Sequence, residues 1–166
     1  DLKNAEGIQY ATGLTNLRLE GDAVLAIPYL GNLTKLTTLT LKGAFTSVPG
    51  IEKLEKVTTL TLSGHTGSEI KFSAGAGSYA YAGNFKTPDL SKMTSLTDVN
   101  LISTEMQTSV ILAAQTLKKV QVNPAKDGTL PNLSGKTISN SLTLIHPDAQ
   151  KVVSYLKDIT SVGTLN

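Results

Sequence analysis

The stretch "KLTTLTLKG" at residues 35–43 returns almost unchanged as "KVTTLTLSG" at residues 56–64. The two copies lie 21 positions apart and agree in the order of apolar and polar residues as well as in identity. Either two similar strands pair as a hairpin, or a longer unit repeats along the chain. The sequence on both sides of these stretches distinguishes the two explanations and determines the fold.

A frame of apolar residues, LxxLxL, recurs through most of the chain. Its first positions are Leu14, Leu36, Val57, Leu96, Leu117 and, in a weaker sixth copy, Ser139. The steps between these positions are 22, 21, 39, 21 and 22 residues. Four prolines share one phase, eight residues before a first position: Pro28, Pro49, Pro88 and Pro131. Because a hairpin predicts neither the steps nor the shared phase, the unit is a repeat of 21–22 residues.

The apolar frame also extends backwards in steps of three residues. Six residues before the first positions stand Ile8, Leu30, Ile51, Leu90, Ile111 and Leu133. Three residues before them stand Ala11, Leu33, Leu54, Met93 and Ala114, while Lys136 interrupts the sixth copy. The whole unit is therefore repeated, and not only its strand.

This period and leucine spacing predict a leucine-rich-repeat solenoid. We expect an α/β-type right-handed superhelix of six turns, with short parallel strands on its concave face. Alternate residues of a strand point to opposite faces, so the strand leucines enter the core. The outward positions are Arg18, Thr40, Thr61, Asn100, Gln121 and Thr143. Recurrent proline, which fixes φ and lacks a backbone donor, favours 3₁₀ or irregular turns on the convex side.

Two segments depart from the period, and both belong to a single domain of residues 1–166. The insertion "EIKFSAGAGSYAYAGNFKTPD" at residues 69–89 is either a binding loop or a merely tolerated one. Further on, Ala149, Val152, Val153 and Leu156 have the i, i+3, i+4, i+7 spacing of a helix. We expect residues 147–166 to cap the last turn with this helix, since an open solenoid end exposes core and a strand edge.

The stretches "GIQYATGLTNLRLEG" and "PYLGNLTKLTTLTL" resemble the first units of bacterial leucine-rich-repeat proteins of the internalin type. The resemblance covers residues 8–147. Where family units carry an asparagine, three places after the last strand leucine, this chain has Asp22, Ala44, His65, Thr104, Ala125 and Pro147. The resemblance implies an extracellular or cell-surface module that binds a partner protein on its concave face. Its signal and anchor are expected to lie outside this sequence.

The composition argues against several classes of function. The formal net charge of +2 is too small to indicate binding to nucleic acid or to an anionic membrane. The chain has no cysteine, which removes disulfides and thiolate metal sites. It also has no apolar run long enough to span a membrane.

The residues of catalytic chemistry are sparse in this chain. The two histidines, His65 and His146, are expected three strands apart, at a distance of roughly 14 Å. That distance is too long for a shared metal or proton relay. Residues 75–80, "GAGSYA", match the dinucleotide pattern G-x-G-x-x-A but lack the strand and helix that the motif requires. We therefore expect no enzyme and no cofactor, whether metal, nucleotide or flavin.

Two functions remain. The first is a recognition module that binds a protein or a glycan at a cell surface through the concave face and the inserted loop. The second is a structural spacer or regulatory subunit within a larger cell-surface protein, which the scarcity of aromatic residues on the predicted face favours. The residues predicted to bind a partner are Arg18, Thr40, Thr61, Tyr79, Tyr81, Asn100 and Gln121. Tyrosine offers large contact area at low entropic cost, whereas Phe72 and Phe85 are expected to hold the loop to the core.

Overall fold

The structure is a computed structural model that describes residues 4–21, 26–64, 70–71, 78–79, 87–104, 112–124, 132–144 and 149–166. Its main element is a parallel sheet of seven strands. In spatial order these are β1 (Asn16–Gly21), β2 (Thr38–Gly43), β3 (Thr59–Gly64), β6 (Asp98–Thr104), β7 (Thr116–Pro124), β8 (Thr137–Leu144) and β9 (Ser161–Leu165). Two short strands, β4 (Ile70–Lys71) and β5 (Ser78–Tyr79), form a separate antiparallel pair. The described residues contain one α-helix, α1 (Ala149–Leu156).

The strand register reproduces the repeat that the sequence predicts. The first strand leucine of each unit lies beside its counterpart in the next, in the order Leu17, Leu39, Leu60, Val99, Val120 and Leu142. Each strand pairs in parallel with the strand of the adjacent unit, so successive units form stacked coils. The chain is therefore a parallel β-solenoid with almost no helix.

The core consists of the repeated apolar positions. Leu39 and Leu60 are fully buried, and Val99 and Val120 are no more than 2% exposed, as the alternation predicts. The apolar frame is a continuous stack because each strand covers the leucines of its neighbours. A side chain of this size contributes about 1.5–3 kcal/mol on full burial.

Tight turns explain why the frame extends backwards in steps of three. The Leu33 amide donates to the Leu30 carbonyl at 2.9 Å, and the Leu36 amide donates to the Leu33 carbonyl at 3.0 Å. Bonds of this i→i+3 kind give about three residues per turn, so the three leucines share one side. Two 3₁₀ helices, Ile8–Tyr10 and Ile51–Lys53, occupy the equivalent part of other units, as predicted for the return segments.

A ladder of threonines joins successive units at the entrance to the strands. The Thr37 hydroxyl donates to the Thr15 carbonyl at 3.0 Å, and the Thr58 hydroxyl donates to the Thr37 carbonyl at 3.2 Å. At Thr97 the backbone amide makes this link, since it donates to the Thr58 carbonyl at 2.9 Å, while the hydroxyl donates its one hydrogen to Asp98 at 2.7 Å. These threonines supply hydrogen bonds between successive turns in addition to those of the sheet.

The sixth unit departs from the predicted phase by one residue. Ile138, and not Ser139, lies beside Leu117 and is fully buried, so the placement of Ser139 at the first position is wrong. The next pair of Cα partners is Lys119 and Ser141, and β8 has one more residue than β7 between the two pairs. This extra residue is a β-bulge, after which Leu142 lies beside Val120 as the repeat predicts. In β9, a side chain at Gly163 would bring its Cβ to 2.6 Å from the Ser139 carbonyl oxygen, so the bulge requires glycine there.

The C-terminal segment contains the predicted helix but continues beyond it. Helix α1 leads into strand β9, which pairs with β8, so the helix is not the last element of the solenoid. Leu156, Ile159, Val162 and Leu165 repeat the three-residue steps of the other units. The sequence prediction missed this seventh strand, and neither the six turns nor the capping role of the helix is confirmed.

Lys136 occupies a position that is apolar in the other described units. It is only 7% exposed, and its Nζ donates to the Ala114 carbonyl at 2.9 Å. Burial lowers the pKa of this ammonium group from its ordinary value of 10.5. The lysine therefore spans a gap between turns that Leu33, Leu54 and Met93 fill with apolar atoms.

The first prediction tests the register. We expect Leu60→Ala to lower the free energy of unfolding by about 2–5 kcal/mol, because it leaves a cavity between neighbouring turns. Thr61→Ala, on the solvent face of the same strand, is expected to cost about 0.5 kcal/mol or less. Urea denaturation of both variants measures the difference, and equal losses would contradict the assignment of faces.

The second prediction concerns Lys136. Replacement of a buried charge by an apolar side chain is often stabilising, so we expect Lys136→Met to raise the free energy of unfolding by about 1 kcal/mol at neutral pH. Because the pKa of Lys136 is lowered in the folded state, the wild-type chain gains stability as the pH rises towards 10.5. The advantage of the variant over wild type should therefore shrink in that range.

Thermal melts of wild type, Lys136→Met and Lys136→Ala across this pH range provide the measurement. Lys136→Ala is the control, because it removes the charge and also the packing of the aliphatic stem. A less stable Lys136→Met variant would mean that the hydrogen bond to Ala114 outweighs the cost of burying the ammonium.

Candidate partner-binding face

A row of polar side chains crosses the solvent face of the sheet. Its members are Cα partners in adjacent strands, in the order Arg18, Thr40, Thr61, Asn100, Gln121 and Thr143. Strands in a sheet lie about 4.8 Å apart, so this row forms a regular array. Buried residues flank the first five members along their strands, and Thr143 lies between the buried Leu142 and the half-buried Leu144, so the row is on the opposite face from the core. Five of the predicted partner-binding residues thus share one row.

The N-terminal end of the row carries a cluster of charges. The Glu20 carboxylate forms ion pairs with Arg18 and with Lys42, both at 2.8 Å. A hydrogen bond from Lys42, assisted by one from Arg18, lowers the pKa of Glu20. These side chains are well exposed, and exposed ion pairs contribute little to stability. The Glu20 carboxylate therefore orients the Arg18 guanidinium and offsets part of its positive charge.

A groove lies nearer the middle of the sheet. It has a volume of about 310 Å³ and runs over strands β3, β6, β7 and β8. Thr61, Asn100 and Gln121 line this groove, whereas Arg18 and Thr40 do not. The structure therefore brings three of the predicted residues into one concavity and leaves the first two on the flatter part of the face.

The groove also contains two charged residues that the predicted site omitted. Asp98 and Lys119 are Cα partners on β6 and β7, one position before Val99 and Val120. Both line the groove, but they do not form an ion pair with each other. The Asp98 carboxylate accepts a hydrogen bond from the Thr97 hydroxyl at 2.7 Å through Oδ2. The alternation along each strand would have placed Asp98 on this face, beside Asn100.

One acceptor in the groove lacks a partner. The Oδ1 atom of Asn100 is buried and has no hydrogen bond within the described part of the chain. The Thr87 hydroxyl oxygen is also buried without a hydrogen bond, but Thr87 does not line the groove. An unsatisfied buried acceptor costs about 1–3 kcal/mol, and such a group in a native structure calls for an explanation.

Within the insertion, strands β4 and β5 pair antiparallel, with Ile70 opposite Tyr79 and Lys71 opposite Ser78. Tyr79 therefore belongs to strand β5, which pairs with β4 and with no strand of the main sheet among the described residues. Several residues for which the sequence predicts a role lie outside the described part of the chain. They are Tyr81, Phe72, Phe85, His65, His146, Ile111 and residues 75–77. The geometry between the loop tyrosines and the groove stays a prediction.

No protein-family model matches this chain, and neither a curated protein nor a solved structure matches it. In the described residues, no group of three or more histidine, aspartate or glutamate side chains is placed to hold a metal ion. The one α-helix in the described part is too short to cross a membrane.

Proposed function

We propose that this chain is a non-catalytic recognition module that binds a partner protein on the solvent face of its parallel sheet. In this proposal the solenoid is a leucine-rich-repeat superhelix of internalin type, exposed at a bacterial cell surface or secreted. The residues proposed to contact the partner are Arg18, Thr40, Thr61, Asn100 and Gln121, with Tyr79 and Tyr81 of the insertion.

One observation carries the proposal: a row of polar side chains that leads into a groove with an unpaired acceptor. Arg18 is exposed and the other members of the row are half-buried, so a partner can reach them. The strands beneath are fixed by the leucine core and by their ladder bonds. A rigid scaffold holds side chains ready for binding, which limits the entropy lost when a partner docks.

The second candidate function is a structural spacer or regulatory subunit in which the solenoid holds other domains apart. The absence of aromatic residues among the described side chains of the groove favours this candidate, since binding hot spots are rich in tyrosine, tryptophan and arginine. The two functions differ in one measurable respect. A spacer has no preferred docking site on its sheet, whereas a recognition module has one.

The third prediction tests the face. We expect Thr61→Arg to abolish the binding of most clones selected on the wild-type protein from a display library of random peptides. The new side chain would place a long cation in the groove beside Asn100. Thr94→Arg is the matched control, because Thr94 is an exposed threonine in a turn outside the groove. Binding that both variants retain would contradict a site on the sheet and favour the spacer.

The fourth prediction tests the insertion separately. We expect the double variant Tyr79→Ala/Tyr81→Ala to melt at the wild-type temperature and to bind the same clones more weakly. Loss of tyrosine contact area, rather than loss of fold, is the proposed cause. Unchanged binding would remove the loop from the site, and a large fall in melting temperature would assign the tyrosines a structural role.

A further inference from the structure

We propose that the groove binds an arginine side chain of the partner, with the guanidinium seated on Asp98 and Asn100 of strand β6. This inference rests on the proposed function and adds the chemistry of the group that the face recognises. It follows from the kinds of hydrogen-bonding atoms that remain available in the groove.

Two side-chain oxygens on β6 have no described hydrogen-bond partner. Asp98 is a carboxylate whose Oδ2 accepts one hydrogen bond from Thr97, and its Oδ1 has no described partner. The buried Oδ1 of Asn100 has none either. Thr61, the neighbour of Asn100 across the sheet, adds a hydroxyl oxygen. A ligand with several donors and a positive charge satisfies all three residues.

The spacing of these acceptors fits a guanidinium better than an ammonium. Asp98 and Asn100 are two residues apart on one face of a strand, which separates their Cβ atoms by about 7 Å. The planar guanidinium carries five N–H donors in a fixed fork and can bridge two acceptors at this distance. A lysine ammonium is a compact point charge and would reach one of the two well.

Lys119 is a positively charged residue that lines the groove, and it lies directly across from Asp98 in the sheet. It is exposed and forms no ion pair with Asp98, so the carboxylate remains available. Its charge opposes the binding of a cation. Removal of the Lys119 charge should therefore strengthen arginine binding, whereas removal of the Asp98 charge should weaken it.

A neutral sugar is the less favoured ligand. Sugar rings usually stack on aromatic side chains, and the groove is lined by aliphatic, hydroxyl, amide and charged residues without an aromatic ring. A cationic side chain of a protein uses both the charge of Asp98 and the unpaired oxygen of Asn100.

The fifth prediction uses N-acetyl-arginine amide as the probe and N-acetyl-citrulline amide as its neutral control of the same shape. In a titration followed by ¹H–¹⁵N correlation spectra of the full chain, we expect the arginine probe to shift amides of β3, β6 and β7 around the groove. Asp98→Asn should weaken its binding roughly tenfold or more, and Asn100→Leu about threefold to tenfold. Lys119→Met should strengthen it by a factor of about 1.5 to 5.

Asn100→Asp provides a second test that does not depend on loss of binding. The added carboxylate should strengthen binding of the arginine probe and leave binding of the citrulline probe unchanged. Equal affinity for the two probes, or wild-type affinity in both Asp98→Asn and Asn100→Leu, would overturn the inference. If Thr61→Arg still blocks selected peptides in that case, the proposed function stands without the arginine site, so the two failures are distinguishable.

Discussion

The contact between the strand leucines of adjacent units is the interaction on which every other part of this protein depends. A unit of 21–22 residues is too short to enclose a core of its own. Leu39 becomes fully buried because Leu17 and Leu60 lie on either side of it in register. Stability is therefore shared between neighbours, and the removal of one leucine weakens the units on both sides.

This arrangement separates the residues that form the core from those on the solvent face of the sheet. The leucine stack, the sheet hydrogen bonds and the threonine ladder maintain the backbone without help from the solvent face. Asn100 can therefore keep an unpaired carbonyl oxygen, since the cost of about 1–3 kcal/mol is small against the burial of the many leucines beneath it. The groove therefore contains a polar atom that does not contribute a hydrogen bond to the fold.

Much of the fold could be predicted from the sequence, because the strand leucines recur with one period and one alternation. Periodicity did not predict the features of the backbone that depend on contacts between units. The bulge in β8 adds one residue between Ile138 and Leu142, so the regular spacing predicted Ser139 at the first position that Ile138 occupies. Strand β9 was missed because Val152 and Leu156 also fit a helix, and the helical pattern obscured the further steps to Ile159 and Val162.

The candidate site shows a similar division. Alternation along the strands predicted which residues share the polar row, including Thr61, Asn100 and Gln121. It carried no information on where the face deepens into a groove, because that depends on the shapes of side chains on four strands. Whether the Oδ1 atoms of Asp98 and Asn100 have a hydrogen-bond partner also depends on which neighbouring side chains reach them, and spacing in the sequence does not determine this.

The insertion between β3 and β6 also has a consequence for how the molecule folds. Most neighbouring strands are linked by about one repeat, as in the threonine bonds across 21 and 22 residues, but the bond from Thr97 to Thr58 spans 39. Closure of this longer link costs roughly 0.5 kcal/mol more in chain entropy, so propagation of the stack slows there. Thr61 lies on one side of this boundary and Asn100 on the other. The groove exists only when β3 and β6 have paired, so any ligand of the groove would stabilise this junction.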